Sequence, residues 1–365
     1  MVGWGAWYEG GVMLESEGLH LRVRAFMAAS MGGDVRGFEE LALEIARFQV
    51  RFVGAVRRLA AARSGGIVDV AGIPGVPTDV FRFVRVAAHA GDGDVAVFRT
   101  SGTTNGARGE HAFRTLATYD AGALAWGSRC LLGGRTDLAV ISLTAPPGEA
   151  VDSSLVHMID LFARAQSGPV SWHLGGGVLD LAGVERACAE ARESGRAALL
   201  MGTSFAFVHL LDAGGGLDLR LPEGSRAMLT GGFKGRSREV PAGELRAGIA
   251  RAFALPEEAV VGEYGMTELS SQLYEGTLLC TPWRRDVYIA PPWVRVTAVD
   301  PETLAPVPEG QVGIARIVDL ANVDSSVAIQ TADRVRVTPE GVELLGRLPG
   351  ATPRGCSLAV EEVLG

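Results

Sequence analysis

Three hydrophobic patterns follow one another along the chain. Between residues 15 and 64, apolar side chains recur every three or four positions, as in FEELALEIARF at 38–48, which predicts amphipathic helices. In the middle of the chain, short apolar runs alternate with segments of helical spacing, which predicts strands connected by helices. From residue 293 onward, short and partly alternating runs are separated by turn residues, which predicts antiparallel strands.

The middle segments define the expected fold. Strand-like apolar runs occupy residues 94–99, 137–143, 197–201, 226–230 and 259–261, and helical spacing occupies residues 110–130, 153–166, 181–194, 205–211 and 244–253. Asp152 stands where it could cap the helix at 153–166. Strands that alternate with helices favour parallel pairing. We therefore expect an α/β fold of multi-layered, mostly parallel sheets flanked by helices, with a small antiparallel β region near the C-terminus.

The same patterns suggest domain boundaries. We expect an α/β core over residues 1–292, whose N-terminal helical segment ends at about residue 65. Residues 293–348 are expected to form a small antiparallel β subdomain. Residues 349–365, which include Cys356, are expected to form a mobile tail.

Composition narrows the classes of protein that need considering. The chain has 365 residues, 47% of them apolar and 21% charged, as in a globular protein. Its net charge is −8 and its basic residues are scattered, so no nucleic-acid partner is expected. No apolar run reaches membrane-spanning length and no secretory signal is present, so no membrane partner is expected. The four cysteines form no CxxC pair, and a cytoplasmic location fits best.

Residues 100–109 (TSGTTNGARG) directly follow the first predicted strand and form the strongest candidate for an anion site. Glycines such as Gly102 let the backbone bend and approach an anion closely, and Arg108 adds a fixed positive charge. Four side chains offer hydroxyl donors: Thr100, Ser101, Thr103 and Thr104. An ordinary strand-to-helix turn is the alternative reading, because short motifs also match by chance.

Two further segments carry chemistry. Residues 263–268 (EYGMTE) follow the last strand-like run and supply the hydroxyl of Thr267 and the carboxylate of Glu268, as a nucleotide–metal site needs. Cys356 follows Arg354 and precedes a segment that predicts a short helix, a setting that favours the thiolate form. A thiolate attacks acyl phosphates and thioesters readily. The alternative is that Cys356 is a small packed residue, as we expect for Cys130, Cys188 and Cys280.

The order of these motifs resembles that of the adenylate-forming superfamily, which joins a carboxylate to AMP and releases pyrophosphate. The chain is most similar to the acyl-protein synthetases, the luciferin-component ligases of bacterial fatty-acid reductase complexes, over about residues 70–365. The superfamily motifs are SGTT at 101–104, YGMTE at 264–268, TAD at 331–333 and GR at 346–347. The supporting segments are PTDVF at 77–81, SSL at 153–155, GTSFAF at 202–207, TGGFKG at 230–235 and RGCSL at 354–358.

The resemblance implies a role for each matching residue. The loop at 100–104, with Arg108, would hold the β and γ phosphates of ATP. Glu268 would bind Mg²⁺, with Thr267 beside the α-phosphate. Asp333 would accept the ribose hydroxyls, and Arg347 would lie near the same end of the nucleotide.

The resemblance also implies residues near the adenine and the acyl group. Tyr264, followed by Gly265, would stack near the adenine or line the acyl pocket. Gly231 and Gly232 would let the backbone lie against either group. Cys356 would carry the acyl group as a thioester.

This chain departs from the superfamily at several motif positions. Arg108 stands where lysine is usual, Asn105 and Ala332 stand where glycine is usual, and Pro349 stands where a hinge aspartate is common. The chain ends at Gly365 and Lys234 is its single lysine, so we expect the mobile C-terminal subdomain and its catalytic lysine to be absent. The source of activation therefore stays open between ATP and a ready-made acyl-CoA.

The leading hypothesis is an acyltransferase on an adenylate-forming scaffold. It captures an activated carboxylic acid on Cys356, with acyl-AMP as donor, and passes the acyl group to an acyl carrier protein or a reductase. One alternative is ATP-independent transfer from acyl-CoA to a carrier protein, and another is a non-catalytic binding module of a biosynthetic complex. His157, on the predicted helix at 153–166, could act as a base for the thiol or be a core histidine.

Overall fold

The computed structural model describes residues 3–63, 66–101, 107–231, 240–348 and 363–364. For residues 3–10 it describes the backbone only. Within these residues the α-helices, in chain order, are α1 (Gly3–Met31), α2 (Phe38–Phe52), α3 (Gly54–Ala61), α4 (Ala117–Gly127), α5 (Ser154–Arg164), α6 (Leu181–Ser194), α7 (Ser204–Ala213) and α8 (Ala242–Phe253).

The strands among the described residues are, in chain order, β1 (Val76–Pro77), β2 (Ala96–Arg99), β3 (Glu110–Phe113), β4 (Ala139–Ser142), β5 (Val170–Trp172), β6 (Leu174–Gly175), β7 (Val178–Leu179), β8 (Ala198–Thr203), β9 (Arg226–Thr230), β10 (Val260–Tyr264), β11 (Leu273–Glu275), β12 (Val287–Ile289), β13 (Val294–Val299), β14 (Val312–Asp319), β15 (Ala328–Thr338) and β16 (Gly341–Arg347).

The chain divides into two compact units. Unit 1 comprises Met1–Ala125, Met266–Gln272 and Ile289–Gly365, and unit 2 comprises Trp126–Gly265 and Leu273–Tyr288. Each unit is therefore assembled from segments that are distant in sequence.

Unit 2 is built on a parallel sheet. Its strands lie in the order β5-β4-β8-β9-β10 and all pair in parallel, whereas β11 pairs antiparallel with β10. Strands β4 and β8 are buried almost throughout, which explains their continuous apolar sequence. The chain returns from β5 to place β8 beside β4, so the direction of winding reverses there. Ligands bind at such reversals in α/β sheets, outside the carboxyl ends of the strands.

Side-chain caps fix where the helices of unit 2 begin. Asp180 accepts a hydrogen bond from the Gly183 amide at the start of α6, and Thr203 accepts one from Ala206 at the start of α7. The cap of α5 is Ser153, which accepts from the Val156 amide. The sequence-based choice of Asp152 was therefore one residue early.

Unit 1 combines helices with antiparallel strands. Helices α1 to α3 account for the helical spacing seen between residues 15 and 64. Strands β13, β14, β15 and β16 pair antiparallel in that order, and β1 joins β15 in parallel. The apolar runs at 327–331 and 335–337 belong to one strand, β15, whose pairing with each neighbour is interrupted by a register shift.

The region after residue 109 differs from the sequence prediction. The predicted helix at 110–130 begins only at Ala117, because residues 110–113 form β3 and pair antiparallel with β2. The partner strand, which local periodicity cannot reveal, decides the conformation of such a short segment. The loop at 100–109 therefore connects two strands of a hairpin and is not a strand-to-helix turn.

The predicted fold class is confirmed. A mostly parallel sheet with associated helices forms unit 2, and a small antiparallel sheet lies near the C-terminus in unit 1. In the part of the chain that the structure describes, no helix is both long and apolar enough to cross a membrane.

A buried ion pair fixes the end of the parallel sheet in unit 2. Arg246, on α8, donates to the Glu275 carboxylate of β11 and to the Val260 carbonyl of β10. Glu275 also accepts from the Gly262 amide at 2.6 Å and from the Asp286 amide at 2.8 Å. The pair is fully buried, so each charge depends on the other for compensation.

Arg246→Met should destabilise the protein by about 3–5 kcal/mol, because it leaves the buried Glu275 carboxylate without its cation. Arg285→Met is the matched control, since Arg285 pairs with Glu257 on the surface, where an ion pair is worth about 0–1 kcal/mol. Urea unfolding of both variants measures the difference. Equal losses in the two variants would contradict the role given to the buried pair.

Candidate functional site

The hairpin of unit 1 closes the predicted phosphate loop at its base. The Thr100 amide donates to the Gly109 carbonyl at 2.9 Å, and the Gly109 amide donates to the Thr100 hydroxyl at 2.9 Å. Arg108 donates from Nε to the Thr100 carbonyl at 2.6 Å and from Nη2 to the Arg99 carbonyl at 3.2 Å. Ser101 is exposed. Gly102, Thr103, Thr104 and Asn105 lie outside the described residues.

The segment of Thr267 and Glu268 is held by buried side chains of unit 1. His111, on β3, bonds through Nδ1 to the Thr267 carbonyl at 2.8 Å and through Nε2 to the Ser325 hydroxyl at 2.9 Å. Asn322 donates from Nδ2 to the Glu268 carbonyl at 2.9 Å. Two successive carbonyls are therefore bound by side chains from elsewhere in the chain.

The tautomer of His111 follows from these contacts. A carbonyl oxygen can only accept, so Nδ1 carries the proton, and in the neutral ring Nε2 accepts from the Ser325 hydroxyl. Burial lowers the pKa of His111 to about 4, so the ring is neutral at pH 7. The ring also stacks on Phe113, with 4.2 Å between centroids.

A second set of buried groups fixes the residues that follow Glu268. Asp319, at the end of β14, accepts from the Ser270 amide at 3.0 Å and from the Ser271 hydroxyl at 2.8 Å. The Ser270 hydroxyl donates to Asn322 Oδ1 at 2.6 Å. Burial raises the pKa of Asp319 to about 6, and the hydrogen bonds to its carboxylate limit that rise.

Asp333 and Arg347 are neighbours in unit 1. They are paired across β15 and β16, and Arg347 Nε lies 3.9 Å from Asp333 Oδ1. Arg347 is exposed and Asp333 is partly exposed, so both can meet a ligand from solvent. The Asp333 amide donates to the Thr331 hydroxyl at 3.1 Å, which orients the residue at the register shift of β15.

The remaining predicted residues that the structure describes lie in unit 2. Gly231 directly follows the carboxyl end of β9, and Tyr264 is the last residue of β10. These two strands pair in parallel, and Thr230 lies opposite Glu263. Gly231 has a φ of 74°, which favours glycine, and its carbonyl accepts from the Ser204 hydroxyl at 2.7 Å. The Tyr264 ring lies edge-on to that of Tyr288, with centroids 6.4 Å apart. Gly232 lies outside the described residues.

Glu263 is a buried carboxyl group at the end of β10. The Thr230 hydroxyl donates to its Oε2, and the side chain is almost completely buried. Burial raises the pKa of Glu263 to about 7, and the Thr230 hydroxyl limits that rise. A group that is partly protonated at neutral pH therefore lies next to Tyr264 in the sequence.

Of the two predicted catalytic residues, the structure describes only His157. His157 is half-buried in the first turn of α5, where its amide donates to the Ser153 carbonyl at 3.0 Å. Cys356 lies outside the described residues. The other cysteines, Cys130, Cys188 and Cys280, carry free thiols, and burial raises the pKa of Cys130 above its usual range and that of Cys188 to about 12.

The described residues contain no cluster of three or more His, Cys, Asp or Glu side chains that could hold a metal ion. Magnesium in nucleotide sites is commonly bound by one or two carboxylates together with phosphate oxygens and water. A single protein carboxylate such as Glu268 therefore fits that ion when a phosphate ligand supplies further oxygens.

Comparison with known proteins finds similarity in the C-terminal part of the chain. Residues 185–365 match the family model of the acyl-protein synthetase LuxE. A stretch of 84 residues is 32% identical to a long-chain-fatty-acid–luciferin-component ligase of Aliivibrio fischeri. Over residues 185–365 the chain is therefore similar to the acyl-protein synthetases. The match covers 20% of this chain and 22% of that ligase, so the chain spans about a fifth of the curated relative.

Solved structures of a 2-hydroxyisobutyryl-CoA ligase share the fold of this chain. An open conformation in complex with 2-HIB-AMP and CoA has a TM-score of 0.61 at 15% identity, covering 84% of this chain and 69% of that one. The thioesterification state has a TM-score of 0.60 at 16% identity, covering 88% and 69%. At such identities the likeness concerns the fold.

Sequence reasoning missed the groups that hold the Thr267–Glu268 segment. None of these groups, His111, Asn322, Asp319 and Ser325, was among the residues predicted to form the site. The sequence offered only an ambiguous signal, a polar segment at 319–326 that separates two apolar strands. Such a segment is usually interpreted as an exposed turn. In the structure residues 319–326 are buried throughout, so their polar groups must find partners within the protein.

The raised pKa of Glu263 gives a pH-dependent stability. Because the folded-state pKa is about 7 against an ordinary 4.5, the contribution of Glu263 is present below pH 4.5 and is lost as the pH rises through 7. Relative to Glu263→Gln, the wild type should lose about 3 kcal/mol of unfolding free energy between pH 4 and 8, since one pKa unit corresponds to about 1.4 kcal/mol.

Chemical denaturation at several pH values checks this prediction. Glu223→Gln, which alters an exposed carboxylate in the same unit, serves as control and should show no comparable pH-dependent difference. A constant difference between wild type and Glu263→Gln across that range would show that the carboxyl group titrates normally.

Proposed function

We propose that this protein activates a carboxylic acid as an acyl adenylate and then captures the acyl group on Cys356 as a thioester. The family match over residues 185–365 and the shared ligase fold support this class of reaction. The observation that carries the proposal is the hydrogen bond from His111, on strand β3 of the hairpin, to the Thr267 carbonyl, directly before Glu268.

That anchoring suits a nucleotide–metal site. The hairpin contains the hydroxyl- and glycine-rich loop. The Thr267 carbonyl accepts from His111, and the Glu268 carbonyl accepts from Asn322. In-line displacement at phosphorus depends mainly on positioning and on stabilising charge, so fixed groups favour it. Under this proposal the loop holds the β and γ phosphates, and Thr267 lies beside the α-phosphate.

Glu268 would hold Mg²⁺, which when bound neutralises charge on the phosphate oxygens. Asp333 would accept the ribose hydroxyls, and Arg347, paired with Asp333 across the strands, would lie at the same end of the nucleotide. Both residues can meet solvent, which access by a nucleotide requires.

The strand ends of unit 2 would bind the adenine or the acyl group. Gly231 places backbone without a side chain at the end of β9, and Tyr264 offers an aromatic face at the end of β10. Gly232 and Gly265 would serve the same close approach. These positions follow the carboxyl ends of parallel strands, where α/β proteins bind ligands.

The second step transfers the acyl group to sulfur. The Cys356 thiolate forms a bond to the carbonyl carbon and the bond from that carbon to the AMP oxygen breaks, so AMP leaves with the electron pair. His157 is our candidate for the base that removes the thiol proton. The thioester would then pass its acyl group to the thiol of an acyl carrier protein or to a reductase.

One observation favours acyl-CoA as the donor instead. Arg108, which stands in place of the usual lysine, donates hydrogen bonds to two carbonyls at the base of its own loop. A guanidinium used in this way is less available for a phosphate. In this second candidate, Cys356 attacks the thioester carbonyl of acyl-CoA, CoA leaves as the thiolate, and no ATP is needed.

Cys356→Ser should abolish the acylated form of the protein, because the attacking thiol is lost. Intact-mass spectrometry after incubation with ATP and a panel of carboxylic acids, and separately with acyl-CoAs, measures the added acyl mass. Cys280→Ser is the control, since Cys280 is a partly exposed free thiol without an assigned role. Full acylation of Cys356→Ser would exclude the thioester step, and no acylation of the wild type with any donor would favour a non-catalytic binding module.

Carboxylate-dependent exchange of pyrophosphate into ATP distinguishes the two donors. We expect exchange in the wild type and a loss of about 100-fold in Glu268→Gln, because this variant lacks the carboxylate proposed to hold Mg²⁺, whose positive charge would stabilise the transition state. Glu302→Gln, an exposed carboxylate in the same unit, should exchange at the wild-type rate. No exchange in the wild type, together with acylation by acyl-CoA, would select the acyl-CoA reading.

A further inference from the structure

The position of His111 on the hairpin links it to the phosphate loop. His111 is two residues beyond Gly109, whose backbone closes the loop with Thr100, and it lies opposite Phe98 in the antiparallel register. The hairpin is narrow and paired at every residue from 96 to 99, so a displacement of β3 moves the base of the loop with it.

The side chain of His111 links this hairpin to the Thr267–Glu268 segment. Its Nδ1–H donates to the Thr267 carbonyl at 2.8 Å, and its Nε2 is oriented by the Ser325 hydroxyl at 2.9 Å. Only 1% of the residue is exposed, so water cannot replace either bond without an opening of the structure.

The packing of the ring restricts it to one orientation. Phe113 stacks at 4.2 Å and Phe81 lies edge-on at 5.8 Å between centroids. Asn322 donates to the next carbonyl, that of Glu268, and also donates to the Ser326 carbonyl and accepts from the Ser270 hydroxyl. A buried network whose members all have partners defines a single geometry.

We propose that His111 is a positioning residue that fixes the Thr267–Glu268 backbone relative to strand β3, so that Glu268 is held in the one position from which it would bind Mg²⁺. This inference rests on the function proposed above. His111 acts through Thr267 and is given no contact with the substrate. Residues that orient a metal ligand in this way typically change metal affinity or activity by about 10–100-fold when they are replaced.

The two amide substitutions of His111 separate its bonds. An asparagine nitrogen occupies about the place of Nδ1, so His111→Asn keeps the donor to the Thr267 carbonyl. A glutamine amide reaches about the place of Nε2, so His111→Gln keeps a partner for Ser325 and loses the bond to Thr267. His89→Gln is a matched control, because it replaces another inward-facing histidine of unit 1 that bonds to Asp94.

The first measurement is calorimetric titration with ATP and Mg²⁺, together with the Mg²⁺ dependence of pyrophosphate exchange. We expect His111→Gln to raise the Mg²⁺ concentration needed for half-maximal exchange, and to weaken binding of Mg²⁺–ATP, by about 10-fold or more. His111→Asn should restore most of the loss, and His89→Gln should match the wild type.

The second measurement is amide hydrogen exchange of the peptide that contains residues 267–271, without ligand. Faster exchange in His111→Gln than in His111→Asn would show that the bond to Thr267 holds the segment. Equal Mg²⁺–ATP affinity in both amide variants and the wild type would overturn the proposal, and faster exchange alone would mark the bond as purely structural.

Wild type that binds Mg²⁺–ATP but does not exchange pyrophosphate would overturn the proposed function, while the affinity comparison still decides the role of His111. Wild type that binds no Mg²⁺–ATP would overturn both.

Discussion

The candidate site depends on one constraint: buried peptide groups must have hydrogen-bond partners. The segment at 267–271 is neither helix nor strand, so its polar groups cannot be paired within a regular element. His111 on β3, together with Asp319 and Asn322 of the segment at 319–326, supplies those partners from elsewhere in unit 1. Since an unpaired buried group costs about 1–3 kcal/mol, each bond restricts where the segment can lie. The position of Glu268 is a consequence of these restrictions.

In the parallel sheet of unit 2, the same requirement for a partner holds for a buried charge. The Glu275 carboxylate is enclosed by Arg246 and by two backbone amides, and one of those amides belongs to Gly262. That residue lies two positions before Tyr264, so the ion pair holds the strand that leads to the aromatic ring. Glu263 has no cationic partner of this kind, since it accepts from the uncharged hydroxyl of Thr230. Burial therefore raises the pKa of Glu263. Each buried carboxyl group takes its protonation from what encloses it.

Several elements were predictable because their signals are local. The helix α6 was predicted with its observed bounds, since Asp180 can cap it and Gly195 ends it in the left-handed conformation. The strands β4, β8 and β9 follow from continuous apolar runs of strand length. The segment at 110–116 failed because its conformation depends on β2, which is its partner in space. The role of the segment at 319–326 was not predictable in this way, because its polarity suggests exposure, whereas in the structure it is buried and Asn322 binds the Glu268 carbonyl.

The sequence by itself determined the α/β class, the resemblance to the acyl-protein synthetases and the order of the motifs, because periodicity and short motifs are properties of neighbouring residues. The tertiary structure decided which groups hold those motifs, since His111 and Thr267 are 156 positions apart and meet only after folding. It also decided the protonation of Glu263 and His111, because burial sets a pKa and burial is a property of the whole fold. The chemistry of the motifs was therefore readable in advance, and their geometry was not.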